Sequence, residues 1–318
     1  IRRPPRSTPS NSSAASDVYK RQAKKKEGWM KGHADLVDEF NLVDTDKASK
    51  VATSRFYYLK NDFVILEQAL LKYGLDKMIK KGFIPLNPPY MIRKEAVQGA
   101  TDAYKFGDDI YKIEDEDLYA IATAEHGIIA YHSNDVIPEN KLPLKYVGIT
   151  PCFRKEAGSH GKDTKGIFRT HQFHKVEIVV FCKPQDSWKI HEELIKINDE
   201  IMQELKIPYR VVNVCTGELG VVHSKLYDTE AWFPCQEKYR EIMSCTNALS
   251  YQAVRSNIRY EKEKGGRDYL HILNDTVIAA GRTMTAIIEN YQQKDGKTIK
   301  IPDVLVPYMN GQKEIRKK

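Results

Sequence analysis

Residues 150–177 read TPCFRKEAGSHGKDTKGIFRTHQFHKVE and are the most informative segment of the chain. β-type runs lie at both of its ends, and the Gly-rich segment AGSHGKDTKG joins them as a loop, which predicts two neighbouring strands. Short runs of the same character recur along the chain, at 145–153, 167–172, 175–181, 209–214 and 252–260. Because strands and helices are interspersed without a regular βαβ rhythm, the sequence predicts an α+β fold with a largely antiparallel β-sheet flanked by helices.

Three amphipathic helices are predicted around this sheet. Apolar side chains recur at helical spacing over 63–73 and again over 188–205. Pro208 ends the second pattern, because proline cannot continue a helix. A third helix is predicted over 276–293.

The first 22 residues differ in composition from everything that follows. Residues 1–22 are rich in Pro, Ser and Arg and have almost no periodic apolar content. Such a segment cannot bury enough surface to offset the entropy of ordering. We therefore expect a disordered, non-native head over 1–22 and one compact domain over 23–318.

Composition and charge restrict the class of protein. The chain has 318 residues, 41% of them hydrophobic, and lacks the ~20 consecutive apolar residues of a membrane span, so we expect a globular protein without a membrane partner. The net charge of +7 is confined to residues 1–26, and the remainder holds 42 basic and 42 acidic residues. Bulk charge therefore says nothing about the partner of the folded part. We expect no DNA partner.

The five cysteines indicate a reducing compartment. They form no C-x-x-C pair, and their odd number leaves one over in any disulfide scheme. We expect a reduced protein of the cytoplasm, with buried neutral cysteine favoured over zinc ligation by cysteine and histidine.

The side chains around the Gly-rich loop suit a nucleotide. Arg154 and Glu156 stand two apart on a predicted strand and point to one face, and Arg169 lies on the strand across the loop. Guanidinium groups match phosphates, a carboxylate can accept from the adenine amine, and Phe173 offers a stacking surface. The sequence has no P-loop and no G-x-G-x-x-G turn that would hold the nucleotide instead.

Two later clusters fit the same chemistry. Glu241 and Ser244, in EIMSCTN, supply the hard oxygens that Mg²⁺ prefers, and Mg²⁺ usually takes few protein ligands beside phosphates. Arg282 follows Gly281 in an otherwise apolar helix, where an unpaired charge is costly. Arg282 therefore needs an anionic partner, either an acidic side chain or a ligand phosphate.

These segments resemble the three motifs of class II aminoacyl-tRNA synthetases. GFIPLNPPYM resembles motif 1 (about 81–91), FRKE with RTHQFHKVE resembles motif 2 (about 150–177), and GRTMTAIIENYQ resembles motif 3 (about 281–292). The flanking phrases TAEHG, YDTEAWFP and SCTNALSYQAVRSNIRY resemble those of seryl-tRNA synthetases. The likeness covers about 56–311 and implies the class II catalytic fold.

The resemblance implies how ATP would be held. Arg154 would contact the α-phosphate, and Glu156 would accept from the adenine amino group. Phe173 would stack on one face of the adenine, while Arg282 would cover the other and reach the γ-phosphate. Arg169 would help to hold the triphosphate in a bent form.

The resemblance also implies a metal, an amino acid and a dimer. Glu241 and Ser244 would complete the site of ATP and Mg²⁺, and the catalytic residues would be Arg154, Arg282 and Glu241. Pro89 would lie at the motif 1 interface of a homodimer. L-serine would be bound by Thr123, Glu125, Arg154, Glu177, Asn274 and Thr276.

The implied activity is that of a serine–tRNA ligase. L-serine and ATP would give seryl-adenylate and pyrophosphate, and serine would then pass to the 3′ end of tRNA(Ser). No heptad run precedes residue 60, although the family normally carries an N-terminal coiled-coil arm of ~100 residues that grips this tRNA. Either the fragment begins inside its gene or the protein lacks the arm.

Three other functions remain as alternatives. The first is a tRNA-independent ligase that loads a small amino acid onto a carrier protein, which the missing arm favours. The second is a non-catalytic synthetase paralogue, which predicts loss of at least one of Arg154, Glu156, Glu241 and Arg282, although all four are present. The third is a class II synthetase for threonine or proline, which the TAE and HQFHKVE phrases disfavour.

Overall fold

The computed structural model describes residues 23, 25–101, 109–156, 163 and 165–317, so the head predicted over 1–22 lies outside the described residues. The helices are α1 (His33–Glu39), α2 (Thr45–Val51), α3 (Asp62–Lys80), α4 (Lys94–Ala100), α5 (Ala124–Tyr131), α6 (Ser187–Glu204), α7 (Tyr251–Arg255) and α8 (Ala280–Tyr291). The strands are β1 (Val43–Asp44), β2 (Tyr58–Leu59), β3 (Ile84–Pro85), β4 (Met91–Arg93), β5 (Leu118–Ala120), β6 (Val136–Pro138), β7 (Leu144–Phe153), β8 (Gln172–Cys182), β9 (Tyr209–Asn213), β10 (Lys225–Phe233), β11 (Lys238–Asn247), β12 (Arg259–Glu261), β13 (Arg267–Tyr269), β14 (His271–Ala279), β15 (Thr298–Lys300) and β16 (Glu314–Arg316).

A seven-stranded sheet forms the centre of the molecule. Its order is β3-β7-β8-β14-β11-β10-β9, and every pair is antiparallel except the edge pair of β3 and β7. β7 and β8 flank the Gly-rich segment, and they pair from Leu144 with Phe181 to Phe153 with Gln172. The prediction of an α+β fold with a largely antiparallel sheet is confirmed.

Strand β8 shows how the sheet divides the molecule. Val176, Ile178 and Val180 point into the main hydrophobic core, which also contains the buried faces of α3 and α6. Val179 and Phe181 point to the opposite side, into a smaller core with α5. A strand that is buried on both faces reads as a continuous apolar run, which is the pattern of this segment.

The predicted helices over 63–73 and 188–205 are present. In α6 the buried residues Ile190, Leu194, Ile197 and Ile201 recur every three or four positions and form one face against the sheet. Helix α3 continues past the predicted end to Lys80, and it buries a similar stripe. Among the described helices, none combines the length and the apolar character that a bilayer crossing requires.

The strand predicted over 167–172 is wrong in its extent. Residues 165–169 form bends, and β8 begins only at Gln172. Gly166 adopts a positive φ of 74°, which turns the chain. The side chains of Ile167 and Phe168 are buried, but these residues belong to no strand. Similarly, β7 ends at Phe153, so Arg154 and Glu156 lie beyond the strand on which they were predicted.

The strand predicted over 252–260 is also wrong. Tyr251–Arg255 is the short helix α7, and a strand begins only at Arg259. Asn257 turns the chain out of the helix with a φ of 52°, a left-handed conformation that asparagine tolerates. The side chain of Gln252 donates to the carbonyl of Ala100, a tertiary contact that local propensity cannot reveal.

The third predicted helix begins four residues later than expected. Thr276 and Ile278 belong to β14, where they pair with Glu177 and Val176 across a bulge, and α8 begins at Ala280. The run TVIAA is β-branched at its start, which suits a strand as well as a buried helix.

Candidate active site

A single cavity brings together twelve of the thirteen side chains that the sequence predicted for the site. It opens on the face of the sheet that carries Phe173 and Glu177. Of the thirteen, Pro89 alone does not line the cavity; it is exposed on the segment between β3 and β4. The twelve are Thr123, Glu125, Arg154, Glu156, Arg169, Phe173, Glu177, Glu241, Ser244, Asn274, Thr276 and Arg282.

Strand ends and helix starts deliver these side chains. β8 contributes through residues 173–177, and β11 through residues 241–246. The N-termini of α5 and α8 also reach the cavity, and backbone N–H groups at a helix start favour anions. Gly281 allows the close approach of α8, because a Cβ there would lie 2.8 Å from the carbonyl oxygen of Ile167.

Arg154 lines the cavity from the end of β7. Its Nε donates to the carbonyl oxygen of Ala122 at 3.2 Å, which fixes the guanidinium where β7 ends. The guanidinium carbon lies 5.3 Å from the centre of the Phe173 ring, a cation–π distance. The remaining N–H donors of Arg154 are therefore held beside an aromatic face.

Charged side chains of the segment 156–169 form an ion network. Arg169 Nη1 donates to Glu156 Oε2 at 2.7 Å, and Arg169 Nε lies 3.7 Å from Asp163 Oδ2. The same Asp163 oxygen accepts from Arg240 Nη2 at 2.6 Å. Burial opposes ionisation of Asp163, but the two arginines outweigh it and lower its pKa.

Arg282 has the anionic partner that its position requires. Its Nη1 lies 2.9 Å from Glu241 Oε1. Its guanidinium also lies 5.3 Å from the ring centre of Phe168, and that of Arg240 lies 4.1 Å from the same ring. Phe168 is therefore a buried aromatic surface that holds two guanidinium groups beside the cavity.

Acidic and amide side chains line the opposite end. Glu125 Oε1 accepts from Asn274 Nδ2 at 2.9 Å and from Gln252 Nε2. Glu177 Oε2 accepts from Thr276 Oγ1 at 3.1 Å. Burial, and then the negative charge of Glu177, raise the pKa of Glu125 to about 7.

A salt bridge completes this end of the cavity. Lys175 Nζ lies 2.6 Å from Glu177 Oε2, and both side chains are almost fully buried. His126, next to Glu125, is buried with no partner for its Nδ1 in the described part of the chain. Burial, with Arg154 and Lys175 nearby, lowers the pKa of His126 to about 3, so this ring is neutral.

Oxygen donors suitable for a divalent cation lie on β10 and β11. Glu241 and Ser244 face the cavity, and Asp228 pairs with Ser244 in the register of the two strands. Burial, and then the charge of Glu241, raise the pKa of Asp228 to about 7. Within the described ranges, no group of three or more His, Cys, Asp or Glu side chains is placed to hold a metal ion.

Sequence reasoning missed several cavity residues. Lys175 alternates with Phe173 and Glu177 along β8, so period-two spacing could have placed it on the same face. Phe168 and His223 lie outside helices and strands, where no periodicity reports on them. Gln252 reaches Glu125 from a helix that had been predicted as a strand.

Comparisons with known proteins agree with this architecture. Residues 104–291 match the profile of the tRNA synthetase class II core domain (G, H, P, S and T). The serine–tRNA ligase of Archaeoglobus fulgidus is 54% identical over 280 residues, which cover 87% of this chain and 62% of that protein. The chain spans about 62% of the length of the curated relatives it matches.

Solved structures show the same likeness. The seryl-tRNA synthetase of Pyrococcus horikoshii, complexed with ATP, superposes with a TM-score of 0.89 at 52% identity, covering 92% of this chain and 65% of that one. The cytoplasmic serine–tRNA ligase of Naegleria fowleri, in complex with AMP, also gives a TM-score of 0.89, at 37% identity over 95% of this chain and 73% of that one. On its cavity, its sheet and these similarities together, the chain belongs to the seryl-tRNA synthetase family of class II aminoacyl-tRNA synthetases.

Proposed function

We propose that this chain carries the catalytic domain of a serine–tRNA ligase. It activates L-serine with ATP to give seryl-adenylate and pyrophosphate, and it then transfers serine to the 3′ end of tRNA(Ser). One observation carries the proposal: a single cavity joins a guanidinium-rich, aromatic end to an end of paired carboxylates, amides and hydroxyls.

The first end suits ATP. In the proposed complex, Arg154 contacts the α-phosphate, Phe173 stacks on the adenine, and Glu156 accepts from its amino group. Arg282 covers the second face of the adenine and reaches the γ-phosphate, and Arg169 holds the triphosphate bent. The ion pairs between Arg169 and Glu156 and between Arg282 and Glu241 support these roles, because a phosphate can replace a carboxylate on a guanidinium.

The second end suits the amino acid. Glu177 pairs with the α-ammonium, Thr123 and Glu125 complete its surroundings, and Asn274 and Thr276 lie beside the side-chain hydroxyl. A site that hydrogen-bonds a hydroxyl leaves its own polar groups unpaired when alanine enters, which can reject the analogue by roughly 10⁴ to 10⁵. Threonine must instead be excluded by the shape of the cavity.

Mg²⁺ is proposed as the cofactor that accompanies ATP. The Glu241 carboxylate and the Ser244 hydroxyl would hold it, and both line the cavity on β11. When bound, the metal would neutralise phosphate charge. Two protein oxygens agree with the usual coordination of Mg²⁺, in which a few side chains are combined with phosphates and waters.

The chain's own groups position reactants in two displacement steps. A serine carboxylate oxygen attacks the α-phosphorus, and the bond to the bridging oxygen of the β-phosphate breaks to release pyrophosphate. A hydroxyl oxygen at the end of the tRNA then attacks the acyl carbon, the bond from that carbon to the phosphate oxygen breaks, and AMP and the hydroxyl proton leave. Arg154 and Arg282 stabilise charge that develops on the phosphates, so no side-chain nucleophile is needed.

The proposed partners and location follow the same reading. We propose a homodimer with Pro89 at its interface, tRNA(Ser) as the acceptor, and action in the cytoplasm. All five cysteines are free, which suits a reducing compartment.

The decisive experiment is amino-acid-dependent exchange between ATP and pyrophosphate, run across the small amino acids on a chain beginning near Ala23. Serine should support exchange, and alanine, glycine, threonine and proline should not. Exchange with another amino acid alone would overturn the serine assignment. A charging assay that compares tRNA(Ser) with a carrier protein then identifies the acceptor.

A further inference from the structure

Lys175 is a buried cation for which the proposed reaction provides no role. Phe173, Lys175 and Glu177 alternate along β8, so all three point to the cavity. The Lys175 side chain is 7% exposed, and its Nζ lies 2.6 Å from Glu177 Oε2. A buried ammonium is costly unless it is paired. We therefore look for a role of the Lys175–Glu177 ion pair in the cavity.

A second carboxylate shares the same space without a cation of its own. Glu125, on α5, accepts from the amides of Gln252 and Asn274, which are neutral donors. The charged groups that act on Glu125 are Glu177 and Lys175 on β8 and Arg154 beyond β7. The neighbouring ring of His126 is neutral, because burial and the same two cations lower its pKa.

Two carboxylates in one buried site do not both ionise cheaply, and the position of the nearest cation decides which one does. Lys175 contacts Glu177 directly, whereas burial and the charge of Glu177 raise the pKa of Glu125 to about 7. We propose that Lys175 is a positioning residue that assigns the negative charge to Glu177 and leaves a proton on Glu125 until an amino acid binds. This proposal rests on the proposed function.

The arrangement couples amino-acid binding to proton release. An arriving α-ammonium adds a positive charge beside the two carboxylates, which favours ionisation of Glu125. The O–H bond of the Glu125 carboxyl then breaks, its electron pair stays on the carboxylate, and the proton passes to solvent. Affinity for serine should therefore rise about tenfold per pH unit below the pKa of Glu125 and level off above it.

The test measures the KM for serine and the KM for ATP in pyrophosphate exchange between about pH 5 and 9. The levelling point is the pH above which the KM for serine no longer falls. In Lys175→Met it should move upward by at least about one pH unit, because the cation that offsets both carboxylates is gone. Lys175→Arg should keep the wild-type profile, and the KM for ATP should stay within about twofold in both variants. Lys189→Met, on the exposed face of α6, is the matched control.

An unmoved levelling point in Lys175→Met would overturn the proposal, since a merely structural lysine lowers activity at every pH alike. If that variant does not fold, Glu125→Gln replaces it: the serine profile should become flat below about pH 7, and a retained slope would refute the assignment.

If no amino acid supports exchange in the wild type, the proposed function fails, and the proton on Glu125 is measured by thermal unfolding instead. Glu125→Gln should then gain stability over the wild type as the pH rises from about 5 to 8. A stability difference between Glu125→Gln and the wild type that does not change over this pH range would show that Glu125 carries no proton.

Discussion

Among single residues, Arg154 should matter most to activation. Its guanidinium is fixed by the carbonyl of Ala122 and lies over Phe173, so its free donors are pre-oriented. Arg154→Ala should cost on the order of 3 kcal/mol or more in serine-dependent pyrophosphate exchange, which is over a hundredfold in rate. Arg267→Ala, at an exposed arginine of β13, is the control. An unchanged exchange rate in Arg154→Ala would refute its proposed role.

Asp275 should make stability depend on pH. Its Oδ1 accepts from Asn198 Nδ2 at 2.8 Å, while Oδ2 and Asn198 Oδ1 have no partner among the residues that the structure describes. Burial raises the pKa of Asp275 well above its usual value of 3.8, so the folded protein keeps this proton to a higher pH than the unfolded chain does. A proton on Oδ2 also supplies the one donor that the pair lacks.

The sign of this effect follows from the raised pKa. The contribution of Asp275 is fully present below about pH 4 and is lost as the pH rises towards the folded pKa, by about 1.4 kcal/mol per unit. The free energy of unfolding of Asp275→Asn, measured by chemical denaturation, should therefore increase relative to that of the wild type as the pH rises. Asp303→Asn is the control, because Lys206 lowers the pKa of Asp303 and its effect lies at acid pH. A stability difference between Asp275→Asn and the wild type that stays constant with pH would show that the carboxyl is ionised in the folded protein.

At the scale of elements, the apolar pattern of the sequence predicted those helices and strands that bury many apolar side chains. α6 buries apolar side chains at helical spacing, and β8 is a continuous apolar run, so both elements are visible in the sequence. The strand predictions for 167–172 and 252–260 were wrong because both conformations depend on distant partners. The Phe168 ring packs against the Arg240 guanidinium, and the Gln252 side chain donates to the carbonyl of Ala100. Local sequence carries no information about such contacts.

The start of α8 gives a prediction about backbone approach. Gly281→Ala would place a Cβ 2.8 Å from the carbonyl oxygen of Ile167, closer than such contacts allow. Alanine usually stabilises a helix relative to glycine by about 1 kcal/mol. Here we expect a loss of about 1–3 kcal/mol in the free energy of unfolding, with a raised KM for ATP, because the helix that carries Arg282 must shift. Gly217→Ala, where a Cβ meets nothing within 4 Å, is the control, and stabilisation by Gly281→Ala would contradict the reading.

Across the whole molecule, the sheet makes the site. Thr123 and Arg282 are distant along the chain, and both line the same cavity because adjacent strands and helix ends meet there. The residue types of the site could be predicted from motifs that each bear a charge or ring suited to a nucleotide. Their distances could not, because these depend on the register of β8 with its neighbours.

The edge of the sheet gives the last prediction. β3 is an edge strand, and Ile84, Tyr90 and Met91 expose apolar side chains on the segment that contains Pro89. Exposed apolar edges are usually covered, and a second copy of the chain would cover this one. The wild type should therefore sediment as a dimer, and Ile84→Glu should sediment as a monomer, because dimerisation would bury a charge. Val51→Glu, at a more exposed valine on α2, should leave the dimer intact. A monomeric wild type would contradict the proposed place of Pro89 at a dimer interface.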